Sequence, residues 1–190
     1  MAEPKPAHCA VVKRILRYLR GTANRQLTFG LDCDSTVTAY CDTDFANDPD
    51  TRKSISGFAF MFNGGCFAWS SRKQTSVSLS TAKAEYIAAV HAGKTIAWLC
   101  MLLQELGIVT DNPINLRINN QSAIALIDLD DSVNEHSKHI EVHFHWIRDA
   151  VCKGIISPSH IPSKLNISDI LIKPLDRISH SRLTASLGLT

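Results

Sequence analysis

Two runs of β-type residues separated by an Asn-Gly-Gly tripeptide at positions 63–65 constrain the fold more than any other feature of this chain. Residues 55–62 and 66–70 are rich in aromatic and small apolar side chains. An Asn-Gly turn between two such runs predicts a β-hairpin. A further β-rich run at 36–41 precedes the pair and ends at Asp42. The first part of the chain therefore predicts three consecutive strands joined by hairpin links.

The rest of the chain alternates between helical and strand-like patterns. The longest helical pattern runs from Ser80, a suitable N-cap, to about Leu106, and strand-like runs follow at 114–118 and 155–161. Pro158 predicts an edge strand or a strand end for the last run, because proline cannot donate to a sheet ladder. Antiparallel strands followed by βα alternation predict an α/β fold with a mixed sheet and helices on its faces. The other predicted helices cover residues 9–20, 120–127, 138–152, 166–173 and 179–187.

The composition is that of an ordinary globular domain. The 190 residues include 45% hydrophobic and 20% charged residues, with 20 Lys+Arg against 18 Asp+Glu and a formal net charge of +2. These values exclude collagen-like, coiled-coil, disordered and strongly polybasic chains. The sequence has no continuous apolar run of about 18 residues and no signal-peptide pattern. We therefore expect no membrane partner and an intracellular location, either cytoplasmic or nuclear.

The six cysteines are scattered without a CxxC pair, so a zinc site or a disulfide framework is disfavoured and reduced core thiols are expected. His139 and His143 are four residues apart on a predicted helix, but no third ligand accompanies them. We therefore expect structural histidines there, or histidines that face a bound ligand. Trp69, Trp98 and Trp146 are predicted to lie in or near the core.

Three acidic residues lie at the ends of predicted elements. Asp42 ends the first strand, Glu85 lies in the first turns of the long helix, and Asp169 lies near the start of a late helix. Such positions can converge at one edge of a sheet, where clustered carboxylates attract hard divalent cations. Two cations about 3.5–4 Å apart would serve in-line phosphoryl displacement. Spacing alone leaves two interpretations open: a metal site, or solvated surface carboxylates.

Seven strings in fixed order carry a resemblance to a known family. They are TAYCDTDFA (38–46), TRKSISG (51–57), FAWSSRKQ (67–74), SLSTAKAEYIA (78–88), NNQSAIA (119–125), SKHIEVHFHWIR (137–148) and SDILIKPL (168–175). Together they resemble the ribonuclease H domain of copia-type (Pseudoviridae) LTR-retrotransposon polyproteins. The resemblance covers about residues 8–189, which is nearly the whole chain.

The resemblance implies an α/β ribonuclease H-like fold, with a five-stranded mixed sheet in the order 3-2-1-4-5 flanked by helices. It also implies endonucleolytic cleavage of the RNA strand of an RNA–DNA hybrid, with two Mg²⁺ or Mn²⁺ ions held by four carboxylates. Matched by motif, the four positions in this chain are Asp42, Glu85, Asn119 and Asp169.

The resemblance also suggests how the chain is organised and what it contacts. Residues 13–22 resemble the segment that follows the reverse transcriptase in these polyproteins. We therefore predict a basic helical lead-in over residues 1–30 and a ribonuclease H-like domain over residues 31–190. Reverse transcriptase or other polyprotein segments are then expected partners, besides the hybrid.

Asn119 stands where family members typically carry aspartate. An amide oxygen can ligate a metal but brings no charge, and the missing charge weakens the field that stabilises the transition state. We therefore expect reduced or lost activity, and the alternative is a non-catalytic, decayed or domesticated module that binds nucleic acid or protein. Asp44, Asp48 and Asp50 are candidates for partial compensation. A second departure is Lys83, where the family commonly has glutamate.

Several polar and basic residues are candidates for binding the hybrid. Phosphate contacts of this kind would be salt-sensitive and independent of sequence, and RNA–DNA discrimination would come from 2′-hydroxyl and groove-shape contacts. For the basic residues of helix 9–20, a solvated face and an interface with the polymerase remain alternatives. The nucleic-acid-binding candidates are Arg72, Lys73, Gln121, Ser122, Lys138 and His139.

Overall fold

The structure is a computed structural model that describes residues 5–30, 36–107, 113–128 and 138–190, without the side chains of residues 138–144. The strands are β1 (Thr38–Asp44), β2 (Ile55–Phe62), β3 (Gly65–Lys73), β4 (Ile114–Ile118) and β5 (Ile156–His160). The helices are α1 (Pro6–Gly21), α2 (Thr81–Glu105), α3 (Gln121–Asp128), α4 (Lys138–Cys152), α5 (Asp169–Ile172) and α6 (Arg177–Ser186), with a 3-10 turn at Ser163–Leu165.

The five strands form one mixed sheet in the order β3-β2-β1-β4-β5, which confirms the predicted topology. The pairs β1–β2 and β2–β3 are antiparallel, and β1–β4 and β4–β5 are parallel. Asn63 and Gly64 both have positive φ, at 47° and 78°, as the tight turn between β2 and β3 requires. Pro158 lies in β5, at the sheet edge where it was predicted.

Helix α2 supplies one side of the main core. The Ser80 Oγ accepts a hydrogen bond from the Lys83 backbone N–H at 3.2 Å, so the predicted N-cap is present. A Cβ on Gly93 would lie 3.0 Å from the Ile156 Cδ1, so glycine allows the helix to approach the sheet closely. By length and composition alone α2 could cross a membrane, but in this fold ten of its residues are buried in the protein.

The opposite face of the sheet carries a second, smaller core beneath α5 and α6. Phe58 and Phe60 pack in the core with α2, whereas Ala59 packs with Leu183 and Leu187 on the other face. This alternation is the two-residue period of a strand. The sheet is therefore covered by helices on both faces.

The N-terminal segment has two different environments. No residue of α1 is buried, whereas residues 26–28 pair with the C terminus: the Gln26 N–H donates to the Thr190 carbonyl at 2.9 Å, and the Thr28 N–H donates to the Gly188 carbonyl at 2.9 Å. The domain boundary at residue 30 stays a prediction.

The exposure of several apolar and sulfur-containing side chains differs from the prediction. Trp69 and Trp98 are 63% and 59% exposed, so their core assignment is wrong. Trp69 lies on the edge strand β3, and Trp98 lies on an exposed face of α2. Among the described thiols, Cys41 and Cys66 are buried and two others, Cys9 and Cys152, are exposed, so only some are core residues.

Candidate active site

Asp42, Glu85 and Asp169 meet near the C-terminal end of β1, which continues for two residues beyond Asp42 rather than ending there as predicted. Asp42 is 2% exposed and Glu85 is 6% exposed, although both are acidic. Glu85 lies in the second turn of α2 and Asp169 at the start of α5, and both carboxyl groups are close enough to that of Asp42 for their interactions with it to shift its pKa. The three positions chosen from the sequence are therefore brought together by a strand end and two helix starts.

Asn119 joins the same cluster from the neighbouring parallel strand. Cys41 and Ile118 are partners in the β1–β4 ladder, so the residues that follow them lie side by side. The Asn119 Nδ2 donates a hydrogen bond to the Asp42 Oδ1 at 3.0 Å. The backbone N–H of Thr43 donates to the same oxygen at 2.7 Å. All four predicted ligand positions are thus close together.

The buried carboxyl groups resist ionisation. Burial, followed by the hydrogen bond and charge of Asp169, raises the pKa of Asp42 well above its ordinary value. Burial, followed by the charge of Asp42, raises the pKa of Glu85. Like charges in a poorly solvated site cannot all ionise without a nearby cation. A nearby cation would therefore make ionisation of this cluster more favourable.

Four buried oxygen atoms in this cluster lack a hydrogen-bond donor, apart from the ion pair of the Asp169 Oδ1 with Lys173: the Asp42 Oδ2, the Glu85 Oε2, the Asn119 Oδ1 and the Asp169 Oδ1. Buried polar atoms normally find partners, so four in one place require an explanation. Carboxylate and amide oxygens are the donors that Mg²⁺ and Mn²⁺ prefer, so this donor set fits such an ion chemically. No group of three His, Cys, Asp or Glu residues in the described part of the chain is already arranged to hold a metal.

Lys173 supplies a cation at the margin of the cluster. Its Nζ lies 2.6 Å from the Asp169 Oδ1, an ion-pair contact at an oxygen that otherwise lacks a hydrogen-bond donor. Burial lowers the pKa of Lys173, but the hydrogen bond with Asp169 and the charges of Asp42 and Asp44 outweigh it and raise that pKa. The ammonium group therefore partly neutralises the carboxylates.

The aspartates that were candidates to compensate for the missing charge at position 119 have different environments in the structure. Asp48 forms an ion pair with Lys73, and its Oδ1 also accepts from the backbone N–H groups of Asp50 and Thr51. The contacts of the Asp48 carboxylate are therefore with its own loop and with Lys73. Asp44 lies close enough to Asp169 and Lys173 for their charges to shift its pKa, so it is the nearer candidate.

Asn166, which sequence analysis missed, connects α5 to β1. It is fully buried, and its Nδ2 donates to the Cys41 carbonyl at 2.8 Å. Its Oδ1 accepts from the Ser168 Oγ at 2.7 Å and from the Ser168 N–H at 3.2 Å. These bonds hold the segment before Asp169 against the backbone next to Asp42. They also explain why the helix predicted over 166–173 begins only at Asp169, because side chains rather than helical bonds satisfy this segment.

Gln74 is a second positioning residue that sequence analysis missed. Its Nε2 lies 2.8 Å from the Ser56 Oγ and 3.0 Å from the Ala84 carbonyl, and its Oε1 accepts from the Ser78 Oγ at 3.0 Å. Ser56 is the β2 partner of Thr43, and Ala84 precedes Glu85. The Gln74 Nε2 also donates to the Thr43 Oγ1 at 3.5 Å, so Gln74 links β1, which carries Asp42, to α2, which carries Glu85.

The nucleic-acid-binding candidates occupy different positions. Arg72 is exposed near the end of β3, and Lys73 is held by Asp48. Gln121 and Ser122 are exposed in the first turn of α3, immediately after the strand that leads to Asn119. The side chains of the other two candidates, Lys138 and His139, lie outside the described part of the structure, so those assignments stay predictions.

The sheet order, the covering helices and the acidic end of β1 define a protein of the ribonuclease H-like fold class. A solved structure described as "LC11-RNase H1 in complex with RNA/DNA hybrid" matches this chain with a TM-score of 0.52 and 18% identity, over 72% of this chain and 94% of that one. At this identity the likeness shows the fold. No family model matches the sequence.

Curated relatives place the chain in a family. It is 41% identical over 177 residues to the "Retrovirus-related Pol polyprotein from transposon TNT 1-94" of Nicotiana tabacum, which covers 93% of this chain. It is 32% identical over all 190 residues to the corresponding polyprotein from transposon RE1 of Arabidopsis thaliana. The chain belongs to the copia-type retrotransposon Pol polyproteins and corresponds to their ribonuclease H domain. It spans 13% of the length of each of these two relatives.

Proposed function

We propose that this domain cleaves the RNA strand of RNA–DNA hybrids endonucleolytically, with Mg²⁺ or Mn²⁺ bound by Asp42, Glu85, Asn119 and Asp169. The observation that supports the proposal is the set of four buried oxygen atoms, one from each residue, of which only the Asp169 Oδ1 has a partner, the Lys173 ammonium. Ribonuclease H proteins typically use Mg²⁺, and the donor set here suits that ion.

Each site residue contributes differently to the reaction. Asp42, buried and held by the Thr43 N–H, presents its free Oδ2 as the central ligand. Glu85 and Asp169 offer further oxygens from opposite faces of the sheet end. A divalent cation, when bound, supplies the positive charge that stabilises the phosphorane-like transition state and activates water. A bound cation would favour ionisation of Asp42 and Glu85, whose pKa values burial and neighbouring carboxyl groups raise.

Asn119 limits the proposed activity. It offers an acceptor oxygen without charge, and its amide N–H group is already directed at Asp42. Removing one comparable electrostatic group costs about 10²–10³ in rate. We therefore expect slow cleavage by this chain and faster cleavage when a carboxylate is restored.

The test is a cleavage assay on an RNA–DNA hybrid in Mg²⁺ and in Mn²⁺. The parent chain is compared with Asn119→Asp, which should be faster, and with Asp42→Asn, which should be inactive. Cleavage that persists in Asp42→Asn would overturn the assigned site. A silent parent beside an active Asn119→Asp variant would support the site and show that position 119 disables it.

A non-catalytic module with the same fold is the second candidate. The Asn119–Asp42 hydrogen bond favours it, because the amide satisfies an oxygen that would otherwise be available to a metal. This candidate requires that neither the parent nor Asn119→Asp cleaves, while both still bind the hybrid. Filter binding on the same proteins distinguishes the two cases.

The polyprotein context suggests a further partner for α1. The helix has no buried residue, and Val11, Ile15, Leu16 and Leu19 are each more than half exposed. Other parts of the polyprotein, such as its reverse transcriptase, are the partners that we propose for this face. An intracellular location, cytoplasmic or nuclear, belongs to the same proposal.

A further inference from the structure

The carboxyl group of Asp42 has only one oxygen atom available to a cation. Its Oδ1 already accepts two hydrogen bonds, from the Thr43 N–H at 2.7 Å and from the Asn119 Nδ2 at 3.0 Å. Its Oδ2 is buried and has no hydrogen-bond partner. A carboxylate that bridges two cations uses one oxygen for each, and each oxygen offers about two lone pairs. Asp42, as it is held here, can therefore serve one cation but not two.

The chain itself supplies a second positive charge beside this oxygen cluster. The Lys173 Nζ lies 2.6 Å from the Asp169 Oδ1, and only 14% of the Asp169 side chain is exposed. Lys173 is the residue that ends α5, four residues after Asp169, so one short helix presents both groups. The ammonium therefore stands on the α5 side of the cluster, where it would repel a dication placed next to it.

The balance of charge also favours a single dication. If the three carboxyl groups of the cluster are ionised, the Lys173 ammonium leaves two negative charges, which one dication neutralises. A second dication would leave an uncompensated positive charge among buried groups, which is costly. Asp44 interacts with Asp169 and Lys173 through charge alone. Even if its negative charge is included, two dications exceed what the site can neutralise.

We propose that this site holds one divalent cation rather than two, and that the Lys173 ammonium supplies the second positive charge. The inference rests on the proposed metal binding but not on cleavage. The cation would be held by the buried oxygens of Asp42, Glu85 and Asn119, while Asp169 shares its carboxylate between the cation and Lys173. Asn119 is decisive, because it brings no charge and its amide occupies the Asp42 Oδ1.

Counting the Mn²⁺ ions bound by the parent chain tests the inference. Free Mn²⁺ is measured by electron paramagnetic resonance during a titration of the chain, alone and with an RNA–DNA hybrid whose RNA strand is 2′-O-methylated to prevent cleavage. The hybrid is included because substrate phosphates complete many divalent-cation sites, and ions bound by hybrid alone are subtracted. We expect about one bound ion per chain in both samples, and about two ions of similar affinity in either sample would overturn the proposal.

The spectrum of the bound ion gives a second readout that does not depend on the count. Two Mn²⁺ ions about 3.5–4 Å apart, as in a two-metal site, are magnetically coupled, which alters the spectrum of each ion. The parent chain in complex with the methylated hybrid should show the spectrum of an isolated Mn²⁺ ion. A coupled spectrum would overturn the proposal.

A double variant tests the two residues that limit the site to one cation. Asn119→Asp with Lys173→Met adds a carboxylate, releases the Asp42 Oδ1 from the amide and removes the ammonium, so a second Mn²⁺ ion should bind. The matched control is Asn115→Asp with Lys164→Met, which makes the same change of charge near the start of β4 and on the exposed 3-10 turn. The control should bind one ion. A second ion in the control, or only one in the folded double variant, would overturn the proposed roles of Asn119 and Lys173.

These counts separate the inference from the proposed function. A parent chain that binds no Mn²⁺ would overturn both. One bound ion without cleavage of unmodified hybrid would support the inference and contradict the proposed cleavage. Two bound ions with cleavage would support the proposed function and overturn the single-cation site.

Discussion

The Asn119 Nδ2 donates a hydrogen bond to the Asp42 Oδ1 across 3.0 Å and links the ends of two parallel strands. An amide can make this bond because it carries N–H donors, whereas an ionised aspartate has acceptors only. Asn119 therefore makes an attractive contact with Asp42 in the metal-free site, where an ionised carboxylate would repel it.

The first prediction concerns stability without metal. Asn119→Asp should lower the free energy of unfolding in EDTA by about 1–3 kcal/mol, because a buried donor is lost and a further carboxyl enters the cluster. Mg²⁺ should stabilise the variant more than the parent. Thermal melts in EDTA and in Mg²⁺ measure both effects. A variant as stable as the parent in EDTA would show that the hydrogen bond contributes nothing.

The second prediction concerns pH. Asp42 has a pKa of about 7 in the folded state against 3.8 ordinarily, and Glu85 has a pKa of about 9 against 4.5. At a pH between its ordinary and its folded-state pKa, each carboxyl group binds more protons in the folded than in the unfolded state. The stabilisation that this protonation gives the fold is therefore fully present below about pH 4 and is lost as pH rises toward about 9. Without metal, the free energy of unfolding should fall by more than about 1 kcal/mol between about pH 5 and pH 9.

Asp42→Asn is the control for the pH effect. The variant retains an acceptor for the Thr43 N–H but removes the charge that opposes ionisation of Glu85. Its stability in EDTA should vary less over the same pH range, as followed by urea unfolding. A parent whose stability rises with pH would show that these carboxyl groups are ionised in the folded protein.

Local patterns predicted the sheet and the main helices well. The hairpin at Asn63 and Gly64, the N-cap at Ser80 and the edge strand with Pro158 depend on neighbours in sequence, so one sequence sufficed. The three acidic ligand positions came from strand and helix ends together with the family resemblance. The strand order could be stated only through that resemblance.

Long-range side-chain bonds could not be read from the sequence. Asn166 bonds to a carbonyl 125 residues away, and Gln74 joins three elements, yet neither residue is distinguished from a surface amide by its neighbours. The pairing of Lys73 with Asp48 was missed for the same reason. The residues that position the site are therefore the part that required a structure.

The third prediction tests Asn166 as a positioning residue. Asn166→Ala leaves the buried Cys41 carbonyl and Ser168 without their partner, which should cost about 1–3 kcal/mol of stability. It should also weaken Mg²⁺ binding, because Asp169 is no longer held against Asp42. Isothermal calorimetry measures the affinity.

Asn115→Ala is the matched control for Asn166. The Asn115 Oδ1 accepts a hydrogen bond from the Ser159 Oγ at 2.6 Å, between β4 and β5 and away from α5. Its loss should lower stability without changing Mg²⁺ affinity. If both variants weaken Mg²⁺ binding equally, the effect reflects general destabilisation and Asn166 has no specific role.

The fourth prediction concerns the cation at the margin of the site. Lys173→Met removes the ammonium that lies 2.6 Å from the Asp169 Oδ1, so a divalent cation no longer competes with it for that oxygen. The lysine side chain is 39% exposed, and solvent screening limits the pair to about 0–1 kcal/mol, or an affinity gain of up to about fivefold. Calorimetric titration with Mn²⁺ measures the change, with Lys164→Met as a control for net charge. A weaker affinity in Lys173→Met would mean that the lysine orients Asp169 for the metal rather than competing with it.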